Sequence, residues 1–254
     1  MFLPPGFDKT IAVEAADLVL QAYQQYQAFI HGQAWTVTGN YQTLGLLLAR
    51  PGLLPPIEPF GFVVLNQASG NVFVTFRGTQ SALDWLADFS VPQVNHAWGK
   101  VEEGFNHIYS QCSGSVLAAV GRAAGKPVFI TGHSLGAALA VLATADLVIA
   151  GNAPKPTMYS FAGPRVGNPA FADQFNQLVP APWRVVNSED IVTTVPLATL
   201  KLAPSDSMKI HMAFALLQDL EYQHVGSSVP FTAHRGSIAG NHDMNLYRAT
   251  VAAA

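Results

Sequence analysis

The sequence predicts an α/β fold with a mostly parallel central sheet flanked by helices, and three observations lead there. Apolar runs typical of buried strands alternate along the chain with segments of helical period, the order a parallel sheet requires. The length of 254 residues suits one such domain better than two small ones, and 50% hydrophobic residues can fill a sizeable core. Third, the strand-like run Val128-Phe129-Ile130-Thr131 breaks at Gly132-His133-Ser134-Leu135-Gly136. The pattern then resumes at helical spacing through Leu135, Ala138, Leu139, Leu142 and Ala143.

The other elements follow from the same rules. Asp8 is placed to cap a helix whose apolar positions Ile11, Ala15, Leu18, Val19, Ala22, Tyr26, Phe29 and Ile30 keep the 3.6-residue period. Residues 39–59, dense in Gly and Pro, read as a surface loop. Residues 60–65 and 72–76 read as a hairpin whose second strand runs straight into Arg77-Gly78-Thr79. Residues 81–90, closed by Pro92, spell a short amphipathic helix. Ala82, Leu83, Trp85, Leu86, Ala87 and Phe89 cover one arc of it, and Asp84 and Asp88 the other. Phe105, Ile108, Tyr109, Cys112, Val116, Leu117 and Val120 give a further helix. Gly151-Asn152 stops the helix that follows Ser134. Residues 157–162 are a strand, 171–178 a helix, and 184–187 a strand ending at Ser188-Glu189-Asp190. From Pro196 the pattern is irregular until a helical tail after His242. No repeat or linker divides the chain, so residues 1–254 read as one domain.

Composition excludes several classes. A net charge of −3 and a pI near 6.2 argue against nucleic acid, whose phosphates need a basic face. The single cysteine, Cys112, allows no intramolecular disulfide and reads as a small core residue. The N-terminus lacks the pattern of a secretory signal, and no run approaches the ~18 apolar residues of a membrane span. A cytoplasmic location is the default expectation, with secretion the alternative if a leader has been removed. Gly125-Lys126 lacks the remaining glycine of a phosphate loop. His234, His242 and Asp243 match no metal-ligand spacing, so neither cofactor nor metal is expected. Charged residues are only 11%, against about 25% in average soluble domains. Alanine-rich helices or an apolar patch meant for lipid would each account for that, and composition does not choose.

The chemistry centres on Ser134. A G-x-S-x-G pentapeptide between strand and helix leaves a serine hydroxyl at the apex of a sharp turn, with the positive end of a helix beneath it. The free N–H of Leu135 suits an oxyanion. Such a serine needs a base, and the base a carboxylate, supplied by loops at the ends of later strands in the order Ser, acid, His. Asp190 stands at such a strand end and is preferred over Glu189, whose side chain should point the other way. His211, His224, His234 and His242 all lie downstream, and order alone does not select among them. His133 should point away from Ser134 and support the turn; His31, His96 and His107 read as surface or loop residues.

Seven segments in order resemble the class 3 lipase family, the fungal-type lipases of the α/β-hydrolase fold. They are Val74-Thr75-Phe76-Arg77-Gly78-Thr79, Asp84-Trp85-Leu86-Ala87-Asp88, Val101-Glu102-Glu103-Gly104-Phe105 and Thr131-Gly132-His133-Ser134-Leu135-Gly136. Gly163-Pro164-Arg165-Val166-Gly167-Asn168, Val186-Asn187-Ser188-Glu189-Asp190-Ile191-Val192, and His242 with Tyr247 complete the series. The resemblance implies Asp190 as catalytic acid and His242 as catalytic base. It implies a structural role for His224 and leaves His234 as second choice for the base. It implies an oxyanion hole from Thr79 and the N–H of Leu135, and a lid over residues 81–92 carrying Trp85, Leu86 and Phe89, its loop steadied by Asp88. Ala137 stands where the family often has a second glycine, and residues 196–240, which shape the acyl pocket, match poorly. The chain lacks the disulfides and leader of secreted fungal members. The expected function is carboxylic ester hydrolysis, foremost of triacylglycerol at a lipid–water interface. Phospholipase A1 and feruloyl-type esterase are the enzymatic alternatives, and a catalytically silent lipase-like binding module is the rival from another class. The implied partner is an acylglycerol or other ester, with transient lipid contact.

Overall fold

Helix α1 (Lys9–Ile30) begins where the Asp8 carboxylate accepts the N–H of Ile11 at 3.1 Å. Its small side chains Ala12, Ala15, Ala16 and Ala22 are fully buried, which lets the helix lie close against the sheet. The computed structural model describes residues 1–52, 56–79, 92–152, 155–196, 199–200 and 220–254, with only the backbone of 199–200.

Seven strands form the central sheet: β1 (Tyr41–Ala49), β2 (Glu58–Asn66), β3 (Val72–Phe76), β6 (Val128–His133), β7 (Thr157–Phe161), β8 (Ala181–Asn187) and β11 (Ser227–Phe231), adjacent in that order. The pairs β1–β2 and β2–β3 are antiparallel, and every later pair is parallel. β4 (Gln93–His96) and β5 (Gly99–Glu102) make a separate hairpin, and β9 (Thr199–Leu200) pairs with β10 (Leu220–Glu221). The expected α/β architecture and the strand–turn–helix around Ser134 are therefore present.

Two expectations need correction. The stretch expected as a loop over 39–59 contains β1, whose apolar run Leu44-Gly45-Leu46-Leu47-Leu48 pairs with β2 through register shifts near Gly45 and Leu48. Turn residues crowding both ends hid a strand that is an edge. The expected irregular region after Pro196 contains β11, which completes the parallel sheet from the other edge and tolerates Pro230 there.

Two cores flank the sheet. On one face α1 and α6 (Met244–Ala253) pack with Phe62, Phe73, Tyr159, Phe161 and Val229. On the other lie α2 (Glu103–Gly121), α3 (Leu135–Ile149) and α4 (Pro169–Leu178). Cys112 is buried in that second core, as its helical setting implied. Helix α3 is alanine-rich and buried on nearly all sides between the sheet and α2, which accounts for part of the low charge content.

Helix α2 is capped by a buried carboxyl, Glu102, which accepts the N–H groups of Gly104 at 2.9 Å and Phe105 at 2.6 Å. Burial outweighs these donors and pushes Glu102 up to about 7. The folded chain therefore holds this proton where the unfolded chain has released it, so stability should fall as pH rises from about 4.5 to about 7. Urea unfolding across that range should show Glu102→Gln removing about 2–3 kcal/mol of the pH dependence. An unchanged slope would contradict the assignment.

Candidate active site

Strand β6 delivers the chain to Ser134 at φ 57° and ψ −127°, and α3 starts at the next residue. That backbone conformation costs a non-glycine residue about 1–3 kcal/mol. It is held by Ser134 N–H donating to the Phe161 carbonyl at 3.0 Å and Ala137 N–H donating to the Ser134 carbonyl at 2.9 Å. Close approach explains the two flanking glycines. A Cβ on Gly132 would fall on the Gly136 carbonyl, and one on Gly136 would come within 2.5 Å of the Arg77 carbonyl oxygen. Strand, helix and the Arg77-Gly78-Thr79 loop thus meet with no room for side chains between them.

The carboxylate of Asp190, just past β8, is buried and accepts three donors. His242 Nδ1–H and Tyr247 O–H both reach Oδ2 at 2.7 Å, and Val192 N–H reaches Oδ1 at 3.0 Å. Burial and the adjacent carboxylate hold the Tyr247 phenol well above its usual range, so it remains a donor. His242 follows the short helix α5 (Ile238–Asn241). Its loop is knitted to that of Asp190 by Asn187 Nδ2, which donates to the carbonyls of Ala233 and Asn241, and by Asn241 Nδ2, which donates to that of Glu189. His242 Nε2 and Ser134 Oγ are both buried with no hydrogen-bond partner among the described residues, so no direct bond joins them here. Ser134 is 1% exposed and His242 5%, so both side chains are buried.

The N–H of Leu135, first in α3, has no acceptor within its own helix and sits at the positive end of the helix dipole. Thr79 lines a cavity of about 300 Å³ together with Tyr23, His133 and His242. The preceding residues are fixed by buried Arg77. Its Nη1 donates to the Gly78 carbonyl and its Nε to the Pro59 carbonyl, both at 2.7 Å, and Glu58 pairs with Nη2 at 2.5 Å. The guanidinium lies over the Tyr26 ring at 3.8 Å.

His133 supports more than the turn. Its Nε2 lies 2.9 Å from the His242 carbonyl, which can only accept, so Nε2 carries the proton and Nδ1 accepts from Tyr23 O–H at 2.8 Å. Tyr23 in turn accepts the Gly78 N–H at 3.1 Å. Burial drives the His133 imidazole well below its usual pKa and keeps it neutral, and burial also keeps the Tyr23 phenol protonated. A fixed chain of hydrogen bonds therefore ties the loop before Thr79 to the backbone of His242. Tyr23→Phe should leave two buried groups unsatisfied and lower kcat about tenfold with KM within twofold. A KM effect with unchanged kcat would assign Tyr23 to substrate binding instead.

The remaining candidates separate cleanly. His234 is exposed and pairs with Glu189 at 3.2 Å, not with Asp190. His224 Nε2 donates to the Thr193 carbonyl at 2.8 Å, a structural setting. His31 and His107 are exposed, whereas His96, expected at the surface or in a loop, packs edge-on against Phe171 at 5.1 Å. Trp85, Leu86, Asp88 and Phe89 lie outside the described residues, as do His211 and all of the 81–92 lid segment but Pro92. The sequence reading missed Tyr23 and gave no role to Arg77 or Tyr247. The last two stand in quoted motifs, but Tyr23 lies 110 residues from its histidine, with no local signal.

The sequence model described as Lipase (class 3) matches residues 73–200, half of the chain. The chain is 31% identical over 208 residues to a chloroplastic/mitochondrial phospholipase A1 of Oryza sativa subsp. indica, covering 70% of this chain and 46% of that one. It is also 31% identical over 189 residues to a lipase of Rhizomucor miehei, covering 70% and 52%. It thus spans only about half the length of these relatives. The Rhizomucor miehei lipase–propeptide complex superposes with a TM-score of 0.65 at 23% identity, covering 89% of this chain and 69% of that chain. The lipase of Rhizopus microsporus var. chinensis gives 0.63 at 26% identity, covering 86% and 74%. The fold is that of the α/β-hydrolases, and the chain belongs to the class 3 lipase family.

Proposed function

We propose that this chain hydrolyses carboxylic esters of lipids, foremost triacylglycerols, through Ser134, His242 and Asp190. The observation that carries the reading is the buried Asp190–His242 hydrogen bond, together with a serine held on a strained turn. Ser134 Oγ attacks the ester carbonyl while His242 Nε2 takes its proton, and Asp190 fixes the tautomer and stabilises the imidazolium. The tetrahedral oxyanion is met by the N–H groups of Leu135 and Thr79. His242 then protonates the leaving alcohol, and water, activated by the same imidazole, releases the acid from the acyl-enzyme.

Losing a whole oxyanion donor costs about 2.7–4 kcal/mol of barrier. Thr79→Ala, which keeps the N–H and deletes the hydroxyl, should cost part of that, about tenfold in kcat. Unchanged kcat would leave Thr79 to its backbone alone.

A second reading, phospholipase A1, is favoured by the name of the rice relative. The deciding experiment is a chain-length series of triacylglycerol emulsions, diacylphospholipid vesicles and soluble p-nitrophenyl esters. Because Ser134 is buried, the rate should rise sharply above the solubility limit of the substrate. Flat saturation on short soluble esters alone would point to an esterase. A higher rate on phospholipid than on triacylglycerol would favour the second reading.

A further inference from the structure

A second cavity, of about 520 Å³, lies between the C-terminal half of α1 and the outer face of the β1–β2 edge. It shares no lining residue with the cavity that Thr79 and His242 line. Its walls are largely apolar, Phe29, Trp35, Leu46, Leu48 and Ile57, with the exposed Gln33, Thr36 and Thr43 also lining it. Four of these, Phe29, Leu46, Leu48 and Ile57, are 42–50% exposed, a concentration of unburied apolar surface that core packing does not explain. Strand β1 shows the same thing from the sequence side. Leu47 enters the core against α2, yet its neighbours Leu46 and Leu48, which point the opposite way, are also leucine. An edge strand that is apolar on both faces has one face left to occupy.

The buried polar side chain of this cavity is Gln25. It lines the wall, is only 6% exposed, and its Oε1 has no hydrogen-bond partner among the described residues. A buried amide oxygen without a partner is rare. The last torsion of glutamine is soft, so the amide can turn toward an incoming group. Among the described residues no charged side chain lines the cavity. An ionised carboxylate would enter without a counter-charge, whereas a neutral hydroxyl can donate to Oε1. The size lies in the range of about 300–1,000 Å³ of small-molecule sites.

We propose that this cavity binds a neutral single-chain amphiphile with a hydroxyl head, the chain against Phe29, Trp35, Leu46, Leu48 and Ile57 and the hydroxyl on Gln25. The site stands independently of the hydrolase reading, and its test does not depend on turnover. The probe is 1-O-dodecylglycerol, an ether with no ester to cleave, titrated into the full chain below its micellar concentration. A diazirine-bearing analogue of the same ether locates the site. One equivalent should bind, and the photolabel should map to peptides spanning residues 25–36 and 43–59. Leu48→Trp, at an exposed position, should fill the cavity and weaken binding at least tenfold. Gln25→Leu should weaken the ether alcohol about tenfold while leaving its O-methylated analogue unchanged, and dodecanoate at pH 8 should bind at least tenfold more weakly. Label confined to peptides holding Thr79, Ser134 or His242 would overturn the proposal. So would undiminished binding to Leu48→Trp, equal loss of both ethers in Gln25→Leu, or dodecanoate binding as tightly as the alcohol.

Discussion

Ser134→Ala should lower ester hydrolysis by about 10⁶-fold and leave the fold intact. The turn that carries the residue is specified by its surroundings. Gly132 and Gly136 make room for the crossing backbones, and backbone bonds to Phe161 and Ala137 hold the positive φ. The hydroxyl makes no hydrogen bond among the described residues, so its deletion removes no stabilising contact there. Thermal unfolding should accordingly show a midpoint at or slightly above that of the parent, as expected where function imposes strain. Activity and stability are thus predicted to separate at this one atom. A variant retaining more than 1% of the rate, with contaminating esterase excluded, would remove Ser134 from the reaction.

Asp190→Asn should reduce kcat about 10⁴-fold at neutral pH, and the hydrogen bonds around the carboxylate say why. Oxygen Oδ2 accepts from His242 and Tyr247, while Oδ1 accepts from Val192 N–H. An amide offers one oxygen. If that oxygen faces His242 and Tyr247, the new NH₂ meets the Val192 N–H and two donors oppose each other. If it faces Val192, the NH₂ donates to His242 Nδ1. That moves the imidazole proton to Nε2, where it can no longer take a proton from Ser134. The first arrangement takes the negative charge away from the imidazolium that forms and the second imposes the wrong tautomer, so either weakens the base without changing the size of the side chain. Steady-state kinetics should show the loss in kcat, with KM changed severalfold at most. A loss under tenfold would mean that Asp190 is structural and that another group orients His242.

What was legible in the sequence was what is local. Gly132-His133-Ser134-Leu135-Gly136 needs only its two flanking elements to be understood, and the capped start of α1 at Asp8 is a three-residue event. Choosing Asp190 over Glu189 also followed from local geometry, since successive side chains leave a strand end in opposite directions. The glutamate indeed reaches exposed His234. The histidine was not legible from spacing. His242 and Asp190 are 52 residues apart, and only the family resemblance separated it from His224 and His234. The edges of the sheet failed for a related reason. β1 and β11 each have one strand neighbour, and their sequences carry Gly45 and Pro230, which weaken the strand signal. The bonds from Tyr23 through His133 to His242 lie furthest from a sequence reading, because three distant segments must fold before any of them has a partner.

The most direct measurement is to inactivate the protein with a p-nitrophenyl alkylphosphonate and locate the adduct by peptide mass spectrometry. One equivalent of p-nitrophenol should be released, one phosphonyl group should appear on Ser134, and ester hydrolysis should disappear in step with labelling. Hydrolysis that survives complete labelling of Ser134, or an adduct on another side chain that accompanies full inactivation, would contradict the assignment of this serine as the nucleophile.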